Sequence, residues 1–179
     1  MDINTIREYF PYLKKGKIYF NHAATAPMSV PLIRELNKVL TGKSESNIDN
    51  YPEFLTVVDD TKSKLALLIN TQPDRIGFLD NTSNGINILA QGIPWRKGDR
   101  ILLNNVEFPA NVYPFLNLKN KGVAVDFVKS RNGIINLTDI ISAVTEKTKL
   151  ISISLVQFLS GFRTDIIKLG NFCKEHGII

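Results

Sequence analysis

Ile76-Gly77-Phe78-Leu79-Asp80-Asn81-Thr82-Ser83-Asn84-Gly85-Ile86-Asn87-Ile88-Leu89-Ala90 decides how the chain is read. Its first four residues, Ile76–Leu79, form a short apolar run of strand length. The run breaks at Asp80-Asn81-Thr82-Ser83, and Ile86, Leu89 and Ala90 then recur at helical spacing. A strand that turns directly into a helix leaves the first helical N–H groups without partners and exposes the positive end of the helix dipole. Such an end suits an anion, and the hydroxyls of Thr82 and Ser83 add donors beside the backbone. The plainer alternative is that Asn81, Thr82 or Ser83 only caps the helix. Local pattern leaves both readings open.

Downstream, strand and helix alternate. Arg100–Leu103, Val123–Val128 and Leu150–Leu155 are apolar, β-branched-rich runs. Helical patterns lie near Asn84–Gln91, Ala110–Lys121, Leu137–Ala143 and Asp165–His176, the last opened by Asp165 and followed by Gly177. Together with Ile76–Leu79 these predict an α/β fold, a mostly parallel four-strand sheet flanked by helices on both faces. Ligands of such sheets bind beyond the carboxyl ends of the strands, where Asn81-Thr82-Ser83, Glu107-Phe108 and Gln157-Phe158 fall together.

Upstream, Ile3–Phe10 reads as a short helix ended by Pro11, and Lys17–Phe20 as a brief strand. Ser29 is placed to cap a helix carrying the stripe Leu32, Ile33, Leu36, Val39 and Leu40. The polar stretch Thr41–Asn50 reads as a loop. A long helix follows over Pro52–Ile69, with Phe54, Val57, Val58, Leu65 and Leu68 expected inward. Asp59, Asp60, Lys62 and Lys64 form a solvated face and no metal site, since no histidine accompanies them.

The 179 residues, 44% hydrophobic and 22% charged, have ordinary globular composition. A net charge of +5, spread along the chain, argues against a nucleic-acid surface. No apolar run nears the ~18 residues of a membrane helix, and Met1-Asp2-Ile3-Asn4 lacks the pattern of a secretory signal. The single Cys173 suits a reducing compartment and reads as a small buried hydrophobe. The expected location is cytoplasmic.

The stretch Asn81-Thr82-Ser83-Asn84-Gly85-Ile86-Asn87 after a strand resembles the phosphate cup of the class V aminotransferase and cysteine desulfurase family, pyridoxal-phosphate enzymes of fold type I. Four further stretches agree in the family's order: Tyr19-Phe20-Asn21-His22-Ala23-Ala24-Thr25-Ala26-Pro27, Gly98-Asp99-Arg100-Ile101, Glu107-Phe108-Pro109-Ala110-Asn111-Val112-Tyr113-Pro114, and Gly161-Phe162-Arg163-Thr164-Asp165. The resemblance runs nearly end to end.

It implies a pyridoxal 5'-phosphate cofactor bound by Thr82, Ser83, Phe108 and Gln157, with Phe108 stacking on the ring and Gln157 near the ring hydroxyl. It implies a substrate mouth at His22, Ala23 and Ala24, although His22 equally suits a surface histidine. Residues 1–50 would be an N-terminal segment and 51–179 an incomplete cofactor-binding large domain. The Schiff-base lysine, the aspartate for the pyridine nitrogen and the small C-terminal domain would lie past Ile179, leaving no catalytic residue here. The implied partners are an amino-acid substrate and a second subunit in a homodimer, with neither nucleic acid nor membrane. Desulfurases of the family usually carry histidine where this chain has Phe108, and phenylalanine cannot transfer a proton. The expected activity is therefore a class V aminotransferase. The alternatives are a cysteine desulfurase or selenocysteine lyase, and a non-catalytic truncated protein associating with a full-length partner.

Overall fold

The computed structural model describes residues 2–179, which divide into two compact units meeting in sequence at Gly77/Phe78. The second unit, Phe78–Ile179, holds a three-strand parallel sheet: β1 (Arg100–Asn104), β2 (Ala124–Val128) and β3 (Thr148–Ile151), in the order β2-β1-β3. β1 pairs with β2 in unbroken register from Arg100↔Ala124 to Asn104↔Val128. Its pairing with β3 slips once, between Arg100 and Ile101. The side chains of β1 alternate as a central strand requires. Ile101 and Leu103 pack with Ala90, Phe115, Leu118, Val123 and Leu150 on one face. Leu102 packs with Val128, Ile135, Ile140 and Leu169 on the other.

Helices α4 (Thr82–Gly92) and α5 (Tyr113–Leu116) supply the first face, and α6 (Leu137–Ala143) and α7 (Ile166–Glu175) the second. Covering both faces explains why Ile101-Leu102-Leu103 of β1 reads as an unbroken apolar run. The Arg100 guanidinium pairs with Asp126 on β2, bridging neighbouring strands at the polar end of the sheet.

Three expectations for this unit need correction. Ile76–Leu79 forms no strand; Phe78 and Leu79 are 51% and 59% exposed. Both edges of β1 are taken, and the outer edge of β3 is taken by the end of the chain. There the Ile179 N–H donates to the Lys149 carbonyl at 3.0 Å, and the Ile179 carbonyl accepts from Ile151 at 2.8 Å. The anticipated helix over Ala110–Lys121 is a single α-turn, α5, between 3₁₀ turns at Pro109–Asn111 and Asn117–Lys121. Pro109 and Pro114, each lacking an N–H, interrupt the ladder. The third strand is also shorter than Leu150–Leu155, because the chain turns away after Ile151.

The first unit contains α1 (Ile3–Glu8), α2 (Val30–Glu45) and α3 (Tyr51–Ile69). The Ser29 hydroxyl accepts the Leu32 N–H at 3.3 Å and starts α2 as anticipated. α2 continues through Glu45 into the stretch expected to be loop, since nothing before Ser46 breaks the ladder. Lys17–Phe20 forms no strand, with Ile18 and Phe20 both exposed. Only Ala66 is buried in these three helices. The stripe Leu32, Ile33, Leu36, Val39 and Leu40 is exposed, as are Phe54, Val57 and Leu68 of α3, which were expected inward. Periodicity places these residues on one face; it does not supply a covering element. No described helix is long and apolar enough to cross a membrane.

Candidate functional site

In the turn before α4 the capping role falls to one residue, Asn81. Asn81 is extended, and its side-chain oxygen accepts the Asn84 N–H at 2.8 Å. Its carbonyl accepts the Gly85 N–H at 3.2 Å. Asn81 is thus the N-cap. The Asp80 carboxylate accepts from the side-chain amides of Asn81 (3.0 Å) and Asn84 (2.7 Å), which holds the turn on its outer side. A Leu79 methyl carbon lies 2.7 Å from where a Cβ on Gly85 would sit, so the glycine lets the chain fold closely over the helix. The backbone N–H groups and hydroxyls of Thr82 and Ser83 are left without a protein acceptor among the described residues.

Ser83 and Asn87 of α4 form one wall of a cleft of about 490 Å³. The rest of the lining comes from the segment after β1, Phe108 and Tyr113 among it. Thr82 is not among the lining residues. Phe108 is half exposed, which removes the alternative that it is plain core. Its ring meets Phe158 edge-on, with centroids 5.1 Å apart and planes at 86°. The Phe108 ring is therefore braced by an aromatic partner.

Gln157 does not line the cleft. It is 1% exposed, and its Nε2 donates to Glu107 Oε1 at 2.8 Å. A carboxylate only accepts, so Glu107 fixes which end of the amide faces it. One of the two Nε2 hydrogens is thus engaged by Glu107, and Gln157 Oε1 is buried with no hydrogen-bond partner among the described residues.

Glu107 is the residue that sequence reasoning matched without a role. It is 7% exposed. Its Oε1 also accepts from Asn104 Nδ2 at 2.7 Å and the Ser154 N–H at 2.8 Å, while Oε2 accepts from the Ser154 hydroxyl at 2.6 Å. Burial pushes the Glu107 carboxyl up, but the bonds from Gln157 and Ser154, helped by Asn111, outweigh it and leave the pKa below the ordinary glutamate range. Loss of a partner for each buried donor costs about 1–3 kcal/mol. The Thr164 hydroxyl continues the network to the Ser154 carbonyl at 3.1 Å, and the Ser152 hydroxyl donates to Asn111 at 2.6 Å. The available sequence signal was an acidic residue three positions past an apolar strand, with amides and hydroxyls just beyond a neighbouring strand.

The remaining candidates separate. His22, Ala23 and Ala24 belong to the first unit, where His22 meets Tyr19 edge-on at 5.0 Å. His22 also lines a groove of about 730 Å³ with Arg7 and Tyr19, and the Tyr19 hydroxyl donates to the carbonyls of Asn21 and Thr25. Asp165 caps α7, its side chain accepting the Lys168 N–H at 3.1 Å. Cys173 is half-buried against the Leu102 cluster, and burial pushes its thiol up, away from nucleophilic use.

A family model described as "Aminotransferase class-V" matches residues 18–179. The chain belongs to the class V aminotransferase family. Within that family its relatives carry a narrower name. A probable cysteine desulfurase of Methanothermobacter thermautotrophicus is 28% identical over all of this chain and 46% of its own length. One from Ureaplasma parvum is 28% identical over 99% of this chain and 44% of its own. Among solved structures, the cysteine desulfurase CsdA of Escherichia coli superposes with a TM-score of 0.85 at 20% identity, covering 100% of this chain and 47% of that one. The structure of C-DES with glycine covalently linked to its pyridoxal-phosphate cofactor superposes at 0.86 and 21% identity, over 95% and 46%.

At these identities the structural matches establish the fold, part of the large domain of fold type I. The class V chain spans about half the length of the relatives it matches. The family is pyridoxal-phosphate dependent. The names borne by the Methanothermobacter and Ureaplasma relatives fit the desulfurase alternative better than a generic aminotransferase.

Proposed function

We propose that this chain forms the phosphate- and ring-binding part of a pyridoxal-phosphate enzyme acting on an amino acid, with cysteine desulfuration favoured over transamination. One observation carries the cofactor reading: Ser83, at an N-terminal helix turn with unspent donors, lines the same cleft as the half-exposed ring of Phe108. The residues fit the group. Thr82 and Ser83 offer N–H and hydroxyl donors to a dianion at the positive end of an 11-residue helix. Phe108 offers a half-exposed aromatic ring, held by Phe158, to a planar ring, and His22, Ala23 and Ala24 are the proposed substrate contacts. When bound, the cofactor supplies an electron sink for bonds at the substrate's α-carbon.

The names of the relatives favour cysteine as substrate. Phe108 sets a condition on that reading, since it holds a ring without moving a proton. Any proton transfer from that side must come from another group.

Titration with pyridoxal phosphate, followed by cofactor fluorescence, tests the first part. Binding should be saturable and should be lost in Ser83→Glu, which sets a carboxylate among the donors. Equal binding by Ser83→Glu would place the phosphate elsewhere. Incubating cofactor-loaded protein that also carries the Schiff-base lysine with cysteine and a thiol reductant tests the second part. Alanine with sulfide supports desulfuration, and keto acid without sulfide supports transamination.

A further inference from the structure

Resting on the cofactor reading, we infer that Glu107 is a positioning residue that acts through Phe108. Two loops reach the carboxyl edge of the sheet here: the segment after β1, which carries Phe108, and the segment after β3, which carries Phe158. Ladder pairing between β1 and β3 ends before either aromatic, while the segment carrying Phe158 is closed on itself by the Val156↔Arg163 bridge, with the Gln157 N–H on the Phe162 carbonyl at 2.9 Å. Within β1–β3 the last paired residues are Leu102 and Ile151, apart from the Ser152 N–H, which bonds the Leu102 carbonyl at 3.1 Å. Beyond that point Glu107 joins the two loops. It takes Asn104 from the last position of β1 and Ser154 and Gln157 from the segment after β3.

The residue next to Glu107 in the chain is Phe108, and the residue next to Gln157 is Phe158, whose rings meet edge-on. Glu107 and Gln157 thus fix the backbones from which both rings project. The carboxylate lies away from the lining of the cleft, at 7% exposure, and has no basic partner among the described residues. It does not itself meet the ligand. Its geometry is that of a clamp on the angle of the Phe108 ring. A ligand consisting only of a phosphate would not sense that angle, whereas a phosphate bearing a planar ring would.

The experiment compares two probes, inorganic phosphate and pyridoxal phosphate, on the full chain. Inorganic phosphate reports the donors at α4, and the ratio of the two affinities reports the ring contact. Glu107→Ala should weaken pyridoxal phosphate about fivefold, the scale of one aromatic contact, while phosphate binding changes less than about twofold. Glu107→Gln, which keeps the shape, should give a smaller change in the same direction. Should both variants fail to fold, Gln157→Met removes one donor from the clamp and should lower the same ratio. In a Phe108→Ala background the Glu107 substitution should no longer change the ratio, because the two effects share one route. An unchanged ratio in every folded variant, or equal loss of both probes, would reduce Glu107 to a structural role and overturn the proposal. An undiminished Glu107 effect in the Phe108→Ala background would do the same. Failure of the unsubstituted chain to bind either probe would instead sink the cofactor reading, and this inference with it.

Discussion

The two units of this chain spend similar residues in opposite ways. In Phe78–Ile179, Ile101, Leu102 and Leu103 are each no more than 2% exposed, because neighbouring strands and helices on both faces enclose them. In the first unit, Leu36, Val39 and Leu40 form an equally regular apolar stripe, yet are 46%, 55% and 67% exposed. Amphipathic spacing makes a helix with an apolar face. Burial needs a second surface, which the sheet provides in one unit and α2 lacks in the other. An apolar face of this kind favours association.

The largest effect that sharpens this comparison is truncation of the core. Ile101→Ala should cost about 2–5 kcal/mol in urea unfolding, whereas Leu36→Ala should stay within about 0.5 kcal/mol. If Leu36→Ala costs as much as Ile101→Ala, the α2 stripe is covered in solution and the contrast fails. Light scattering on the same samples would then show whether a second copy covers it.

Next in size is the acid limb. The folded pKa of Glu107 lies below its unfolded value, so its stabilisation is complete above the ordinary glutamate value near ~4.3 and is lost as pH falls through the lower folded value. The second unit should lose stability over that window. Glu107→Gln should flatten the acid limb of a plot of unfolding free energy against pH, at a cost of about 1–3 kcal/mol at neutral pH. An unchanged acid limb in Glu107→Gln would mean the carboxylate does not titrate with folding.

The smallest effect concerns caps, where the two units should behave alike. Asn81→Ala and Ser29→Ala each remove one side-chain acceptor from a first helical turn and should cost about 1 kcal/mol. Thermal unfolding of both variants checks this. A much larger loss for Asn81→Ala would show that the α4 turn holds more than its own helix end.

What could be read from sequence follows from what is local. The alternation over Arg100–Leu103, Val123–Val128 and Leu150–Leu155 located all three strands, because burial on both faces forces continuous apolar runs. Ile76–Leu79 has the same composition but no partner, and pairing is not written in a single segment. A cap among Asn81, Thr82 and Ser83 was legible because donor and acceptor lie three residues apart, and the structure gives it to Asn81. Glu107 did not announce its role, since Ser154 and Gln157 stand 47 and 50 residues away. Ser83 and Phe108 were placed together by the rule for sheet edges, and they do share a cleft.

The central place of β1 also sets a clock. Strand amides paired within a covered sheet exchange their hydrogens with solvent only when the structure opens widely, while amides without an acceptor exchange almost at once. In deuterated water the N–H groups of Ile101–Leu103 should be among the last to label, and those of Thr82 and Ser83 among the first. Any anion that settles on α4 would therefore announce itself as a delay at two early signals, against a slow background it leaves untouched.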